Sequence, residues 1–188
     1  MTFDFSEFKN KKIIVTGSST GIGFETGVEF LNLGANVIFH GNKSIADLEA
    51  RIKTKSQSKN FKIFKSDFTN LSQVDNFMNN AINYLNGLDI LVNNAGTMVG
   101  RYQLETISEK DFLKIFDLNA KSAYFATKSA CTIFKKQNYV NIINVSTISA
   151  RTGGSAGSSV YAASKAFVSG ITRSVSYTHL TLPTTGSV

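Results

Sequence analysis

The chain has 188 residues, 42% of them hydrophobic and 18% charged, which suits one domain with a sizeable core and leaves no apolar run long enough to cross a bilayer. Its single cysteine, Cys131, excludes an internal disulfide framework and a cysteine-rich metal centre, and His40 and His179 are too few and too far apart to hold an ion, so no bound metal is expected. The net charge of +7 comes from lysines scattered along the chain, a pattern that argues against a nucleic-acid groove reader and favours an anionic small molecule.

The first residues, Met1-Thr2-Phe3-Asp4-Phe5-Ser6-Glu7, are acidic and lack the apolar core of a secretory leader, so the expected location is the cytoplasm, with no membrane partner. Lys12 to Thr16 reads as a first strand. The next segment has an apolar helical stripe of Ile22, Phe24, Val28 and Leu31 and stops at Gly34. Asn36 to His40 and Phe61 to Lys65 read as the second and third strands, and a helix from about Leu71 to Asn86 leads into a fourth at Asp89 to Asn93. A helix opening at Ser108 and Glu109 places Phe112, Ile115 and Phe116 on one side. A separate helix runs from about Ala120 to Lys136, with Cys131 as a buried structural thiol beside Ala130 and Phe134. Val140 to Asn144 makes a fifth strand, followed by a Ser/Gly-rich loop and a helix carrying Tyr161 and Lys165. Short β-rich runs alternating with helices predict an α/β fold, a Rossmann-type doubly wound parallel sheet.

Between the first strand and its helix lies Thr16-Gly17-Ser18-Ser19-Thr20-Gly21-Ile22-Gly23. Glycines there allow a sharp turn and close approach of a phosphate, and the helix N-terminus offers free N–H groups and the positive end of its dipole. A tight connection needs such glycines too, and the spacing departs from the common Gly-x-Gly-x-x-Gly fingerprint. Tyr161 and Lys165, four apart, share one helix face, where a fixed ammonium favours the phenolate and suits the phenol to general acid work. Alone, that pair is also what an ordinary helix surface carries.

Taken in order, Gly-x-x-x-Gly-x-Gly at Gly17, Gly21 and Gly23, Asp67 after the third strand, Asn93-Asn94-Ala95-Gly96 after the fourth, Asn119 within Leu118-Asn119-Ala120, and Tyr161 with Lys165 resemble the classical short-chain dehydrogenase/reductase family from about Lys11 to Val175. The resemblance implies a hydride-transfer enzyme similar to 3-oxoacyl-(acyl carrier protein) reductases. Tyr161 is then the general acid, with Lys165 holding the nicotinamide ribose and Asn119 positioning a water. A hydroxyl after the fifth strand should stabilise the developing oxyanion; the family's serine falls on Thr147, with Ser146 in reserve. The implied cofactor contacts are Gly17, Ser18, Ser19, Gly21, Ile22, Gly23, Asn42, Lys43, Asp67, Asn93, Ala95, Gly96, Tyr161 and Lys165. Gly41-Asn42-Lys43 at the end of the second strand lacks the carboxylate expected of an NAD user, so NADP(H) is the preferred cofactor. Thr20, where many NADP users carry a basic residue, leaves NAD(H) open.

A small-molecule carbonyl or alcohol is the implied substrate, and a homodimer or homotetramer the implied full-length assembly. A sugar, polyol or steroid alcohol dehydrogenase and a non-catalytic dinucleotide-binding protein are the alternatives. After Ser176 the chain neither extends an amphipathic helix nor resembles the family. Residues 1–176 are therefore expected to be an incomplete domain, and 177–188 a foreign tail, with the fifth strand left as a poorly covered, aggregation-prone edge.

Overall fold

The computed structural model describes residues 4–43, 45–135, 137 and 141–179, the last four of these by backbone alone. Among these, five parallel strands form one sheet in the order β3-β2-β1-β4-β5, with β1 at Lys12–Val15, β2 at Asn36–Gly41, β3 at Phe61–Lys65, β4 at Ile90–Asn93 and β5 at Asn141–Asn144. Seven α-helices accompany them among the described residues: α1 Gly21–Asn32, α2 Leu48–Lys55, α3 Leu71–Leu85, α4 Glu109–Phe116, α5 Ser122–Phe134, the short α6 Ser149–Thr152 and α7 Ser159–His179.

Successive residues of a strand face opposite sides, and the two cores follow that alternation. Ile14, Ile38 and Leu91 point to the face covered by α3 and α5, where they meet Val74, Phe77, Met78, Ala126 and Phe134. Ile13, Val15, Val37, Phe39 and Val92 point to the other face and meet Phe24, Val28 and Leu31 of α1 and Leu48 and Ile52 of α2. Strands covered on both faces need continuous apolar runs, and the chain supplies them. Helix α7 packs beside α5 and the end of β5.

Local signals close the helices. Asn70 accepts the Ser72 N–H at the start of α3, and Ser108 accepts the Asp111 N–H at the start of α4. Gly34, at φ +86°, ends α1 with Gly34 N–H bonded to the Leu31 carbonyl and Ala35 N–H to the Phe30 carbonyl, a Schellman pair. Asn86, at φ +53°, ends α3 the same way through Gly87 N–H and the Ile82 carbonyl.

Several expectations need correction. Ile22 is 70% exposed, because it lies about 200° round the helix from Phe24 and so points away from the sheet. Phe112 is likewise exposed, stacking on Phe116 in the open while Ile115 alone of the three is buried. The two helices expected on either side of residue 118 are one continuous run, joined by a π-helical turn over Asp117–Lys121. Helix α2, a single 3-10 turn at Ser6–Phe8 and α6 were not anticipated. Helix α7 stays helical through Tyr177, Thr178 and His179, past the point where the helical pattern was expected to fail. Lys136, Val140 and the expected tail residues 180–188 lie outside the described residues. No helix among the described residues is long and apolar enough to cross a membrane, and no cluster of three or more His, Cys, Asp or Glu is placed to hold a metal.

Candidate active site

In a parallel sheet of this order the chain reverses direction of travel between β1 and β4, and the carboxyl ends of the strands there open a crevice. The loop after β1 fills its floor. Gly17 sits at φ +62°, and a Cβ there would lie 2.6 Å from the Ala95 Cα. A Cβ on Gly23 would lie 2.2 Å from the Asn94 Nδ2, so both glycines are required by close approach of the β4 loop. Gly21, at φ +58°, has nothing within 4 Å of its Cβ position: the α1 N-terminus faces open space. Its first-turn N–H groups lack intrahelical acceptors and are suited to an anion.

Asn94 and Thr16 hold this arrangement. The Asn94 amide donates to the Thr16 and Gly17 carbonyls at 3.0 and 2.9 Å, and the Thr16 hydroxyl oxygen accepts the N–H groups of Asn94 and Ala95, each at 3.0 Å. Asn93 is buried beneath, donating to Thr127 of α5 and to Asn144 of β5, with its Oδ1 left without a hydrogen-bond partner. Ser18 is buried, and Ser19 receives on its carbonyl a hydrogen bond of 2.9 Å from Arg51, whose guanidinium stacks on Phe24.

On the far side of the crevice a cavity of about 1080 Å³ is lined by Asn42, Lys43, Asp67, Thr97, Val99 and Lys114, among others. Partial burial works against the Asp67 charge, but hydrogen bonds from the Thr69 N–H and hydroxyl and from the Asn42 side chain outweigh it and hold the carboxyl below its ordinary range. At the end of β2, a Cβ on Gly41 would come within 2.7 Å of Ile45 Cγ2 and 2.9 Å of Ser19 Cβ. A carboxylate-bearing side chain has no room there.

The helical residues converge on Gly96. The π-helical turn places Asn119, fully buried, so that its amide donates to the Ile115 and Thr97 carbonyls, both at 2.8 Å, while its Oδ1 has no partner. A Cβ on Gly96 would lie 2.5 Å from that Oδ1 and 3.0 Å from the Lys165 Nζ, which brings the asparagine, the lysine and the β4 loop into one place. Lys165 is buried and donates to the Val145 carbonyl at 2.9 Å; desolvation holds its ammonium below the usual lysine range. Tyr161 stands half-buried one turn earlier on α7.

The two hydroxyls after β5 diverge. Ser146 turns to α7, 3.1 Å from the Ser169 hydroxyl and 3.4 Å from the Lys165 carbonyl, whereas Thr147 accepts the Ser149 N–H at 3.3 Å and keeps its own O–H to give. Arg101 straps the β4 loop to the segment before α7 through Ser155 and Ala156. Cys131 is buried away from these groups, and burial pushes its thiol up. Sequence reasoning did not single out Thr16, His40, Asn94 or Arg51, which shape the crevice from outside the motifs' expected contact positions.

Comparison with known proteins agrees with this architecture. The short chain dehydrogenase family model matches residues 11–181. Hydroxynaphthalene reductase-like protein Arp2 of Metarhizium acridum is 31% identical over 87% of this chain, which spans 61% of that protein's length. The 3-oxoacyl-[acyl-carrier-protein] reductase FabG of Rickettsia typhi is 30% identical over 91% of this chain and 67% of its own. The crystal structure of NADH-dependent reductase A1-R' complexed with NAD superposes with a TM-score of 0.85 at 31% identity, covering 93% of this chain and 75% of that one. The match leaves no strand of the sheet outside it, and the chain belongs to the short chain dehydrogenase family.

Proposed function

We propose that this chain is the dinucleotide-binding and proton-handling part of an NADP(H)-dependent oxidoreductase that reduces a carbonyl to an alcohol. The observation that carries the reading is the meeting of Asn119 Oδ1, Lys165 Nζ and Gly96, one helical turn along α7 from Tyr161, with a buried acceptor left unpaired. The open α1 N-terminus and the glycines without room for a Cβ suit a pyrophosphate. When bound, the nicotinamide supplies the hydride. Tyr161 gives its phenolic proton to the forming alkoxide, the Lys165 ammonium stabilises the phenolate left behind, and Asn119 Oδ1 accepts from a water that returns the proton. Thr147 donates its O–H to the substrate oxygen.

NADP(H) is favoured over NAD(H) because Gly41 excludes a ribose-binding carboxylate and Lys43 stands exposed at the cavity, where it would attract a 2′-phosphate. Likeness to FabG supports a 3-oxoacyl thioester as substrate. A second reading, polyol oxidation, is supported by 31% identity over 142 residues to a probable NADP-dependent mannitol dehydrogenase of Yarrowia lipolytica. The exposed aromatic face of Phe112, Tyr124 and Phe167 supports a homo-oligomer.

The test is NADPH oxidation by the full-length protein with 3-oxoacyl thioesters and with a polyol panel run in reverse. Tyr161→Phe should lower kcat by about 10²- to 10⁴-fold. A Tyr161→Phe protein that turns over at the wild-type rate would sink the mechanism, and tighter binding of NADH than NADPH would sink the cofactor assignment.

A further inference from the structure

His40, next to last in β2, is 3% exposed and lies directly beneath the glycine loop. Its Nδ1 accepts the Gly17 N–H at 2.9 Å, and its Nε2 is 3.1 Å from the Ser66 carbonyl. A backbone N–H on one side and a carbonyl on the other select the neutral ring with its proton on Nε2. The main chain of His40 adds a second clasp. Ser18 N–H donates to the His40 carbonyl at 2.8 Å, and His40 N–H donates to the Ser18 hydroxyl oxygen at 2.8 Å. The Ser18 hydroxyl in turn donates to the Val15 carbonyl at 2.6 Å. Phe68 stacks on the imidazole at 3.9 Å between centroids, and Phe77 closes its other approach at 4.8 Å.

These bonds connect two pieces of the crevice that are far apart in sequence. One is the loop from Gly17 to Gly23, which presents the α1 N-terminus. The other is Ser66, which precedes Asp67 at the mouth of the cavity. We propose that His40 is a positioning residue for dinucleotide binding, its neutral imidazole spanning the glycine loop and the end of β3 and fixing the distance between the phosphate-facing helix terminus and Asp67. The inference rests on the reading that the crevice binds a dinucleotide, and it adds a residue that is buried and acts through Gly17, Ser18 and Ser66.

A second proton on the ring would turn Nδ1 into a donor aimed at the Gly17 N–H and break the clasp. The charged group that faces the ring is Asp67, from the β3 side; Phe68, Phe77 of α3 and the loop residues Gly17 and Ser18 bring no charge. Burial lowers the imidazole to about 4, against the weaker upward pulls of the Ser66 carbonyl and Asp67, so the clasp is intact at neutral pH.

Two variants of the full chain test the assignment. His40→Phe keeps a flat ring, one heavy atom larger, without an acceptor, and His40→Gln keeps an acceptor and a donor at a similar separation. Expected for His40→Phe are a rise of about tenfold in hydrogen exchange at the Gly17 and Ser18 amides of the cofactor-free protein, with Ile90 to Val92 unchanged, and a loss of about tenfold in affinity for whichever of NADPH and NADH binds tighter. His40→Gln should recover most of both. Imidazole nitrogen shifts should show a neutral, Nε2-protonated ring at pH 6. Unchanged exchange and affinity in His40→Phe, or a charged ring at pH 6, would overturn the proposal. A wild-type protein that binds neither dinucleotide would overturn the functional reading beneath it, even if loop exchange still rises in His40→Phe.

Discussion

At the level of single residues the crevice is built from contacts with almost no slack. Asn94 makes two side-chain hydrogen bonds to the glycine loop, so Asn94→Ala should destabilise the protein by about 1–3 kcal/mol and weaken dinucleotide binding, measured by urea unfolding and by nucleotide titration. An unchanged unfolding midpoint would show that the loop does not depend on this clamp. His40 makes the stability of the fold depend on pH with a definite sign. Its folded value of about 4 lies below the unfolded value of 6.5. Between those values the unfolded chain carries a proton that the folded chain lacks, so stability rises with pH across the window. The contribution is complete above the unfolded value and is lost as pH falls to about 4, amounting to about 3 kcal/mol. His40→Phe should flatten this part of the stability curve; a wild-type curve with no slope there would refute the assignment. Val99 carries a different strain. It sits at φ +64° in a γ-turn closed by Gly100 N–H to the Met98 carbonyl at 2.7 Å, a conformation that suits glycine and not a β-branched residue. Val99→Gly should leave the protein at least as stable, within the 1–2 kcal/mol such backbone strain is worth, and a clear fall in Tm would show that the valine side chain packs usefully at the cavity rim.

At the level of elements, α1 shows how a local sequence choice is fixed by a distant partner. Gly27 is buried in mid-helix, and a Cβ there would come within 2.5 Å of the Phe39 ring on β2. Helix propensity favours alanine over glycine, but the clash decides the outcome, so Gly27→Ala should cost about 1–3 kcal/mol in spite of its better propensity. A more stable Gly27→Ala protein would mean that the ring can swing aside. The same balance of local and distant causes explains what could be read from the chain. The strands, α1, α3 and the glycine loop were legible because continuous apolar runs, a helical stripe and glycine spacing are local signals. Helix α2 was not, because only Leu48 and Ile52 are buried in a segment otherwise charged and polar. Ile22 misled because it completes an apolar pattern by composition while standing on the wrong side of the helix. Asn119 was legible only through its motif; that it occupies a π-helical turn depends on i to i+5 bonding such as Ser122 N–H to the Asp117 carbonyl, for which the residues carry no separate mark. His40 was missed because a lone histidine in a strand gives no sign that Gly17 and Ser66 will meet it in space.

At the level of the whole molecule, the sheet has two outer strands, and they are defended unequally. β3 carries Lys62 and Lys65, both exposed, and charges of this kind discourage pairing with another chain. β5 reads Asn141-Ile142-Ile143-Asn144, without a charge, and Ile143 is 45% exposed. The overall charge of +7 opposes self-association, but it is spread over the surface and does not shield that strand in particular. A second adhesive surface lies on the helices, where Phe112 stacks on Phe116 and Phe167 packs on both Phe116 and Tyr124 in half-exposed contacts. The two surfaces predict different kinds of assembly: an open β edge adds chains without limit, whereas a helix face can close on a second copy. For the 188-residue chain we expect concentration-dependent growth of large species through β5. Ile143→Lys should then suppress it in light scattering, while Phe167→Ser should leave the large species and remove a discrete small oligomer in sedimentation. If Ile143→Lys changes nothing and Phe167→Ser alone disperses the protein, the helix face governs association, and the edge of β5 is protected in solution by something other than charge.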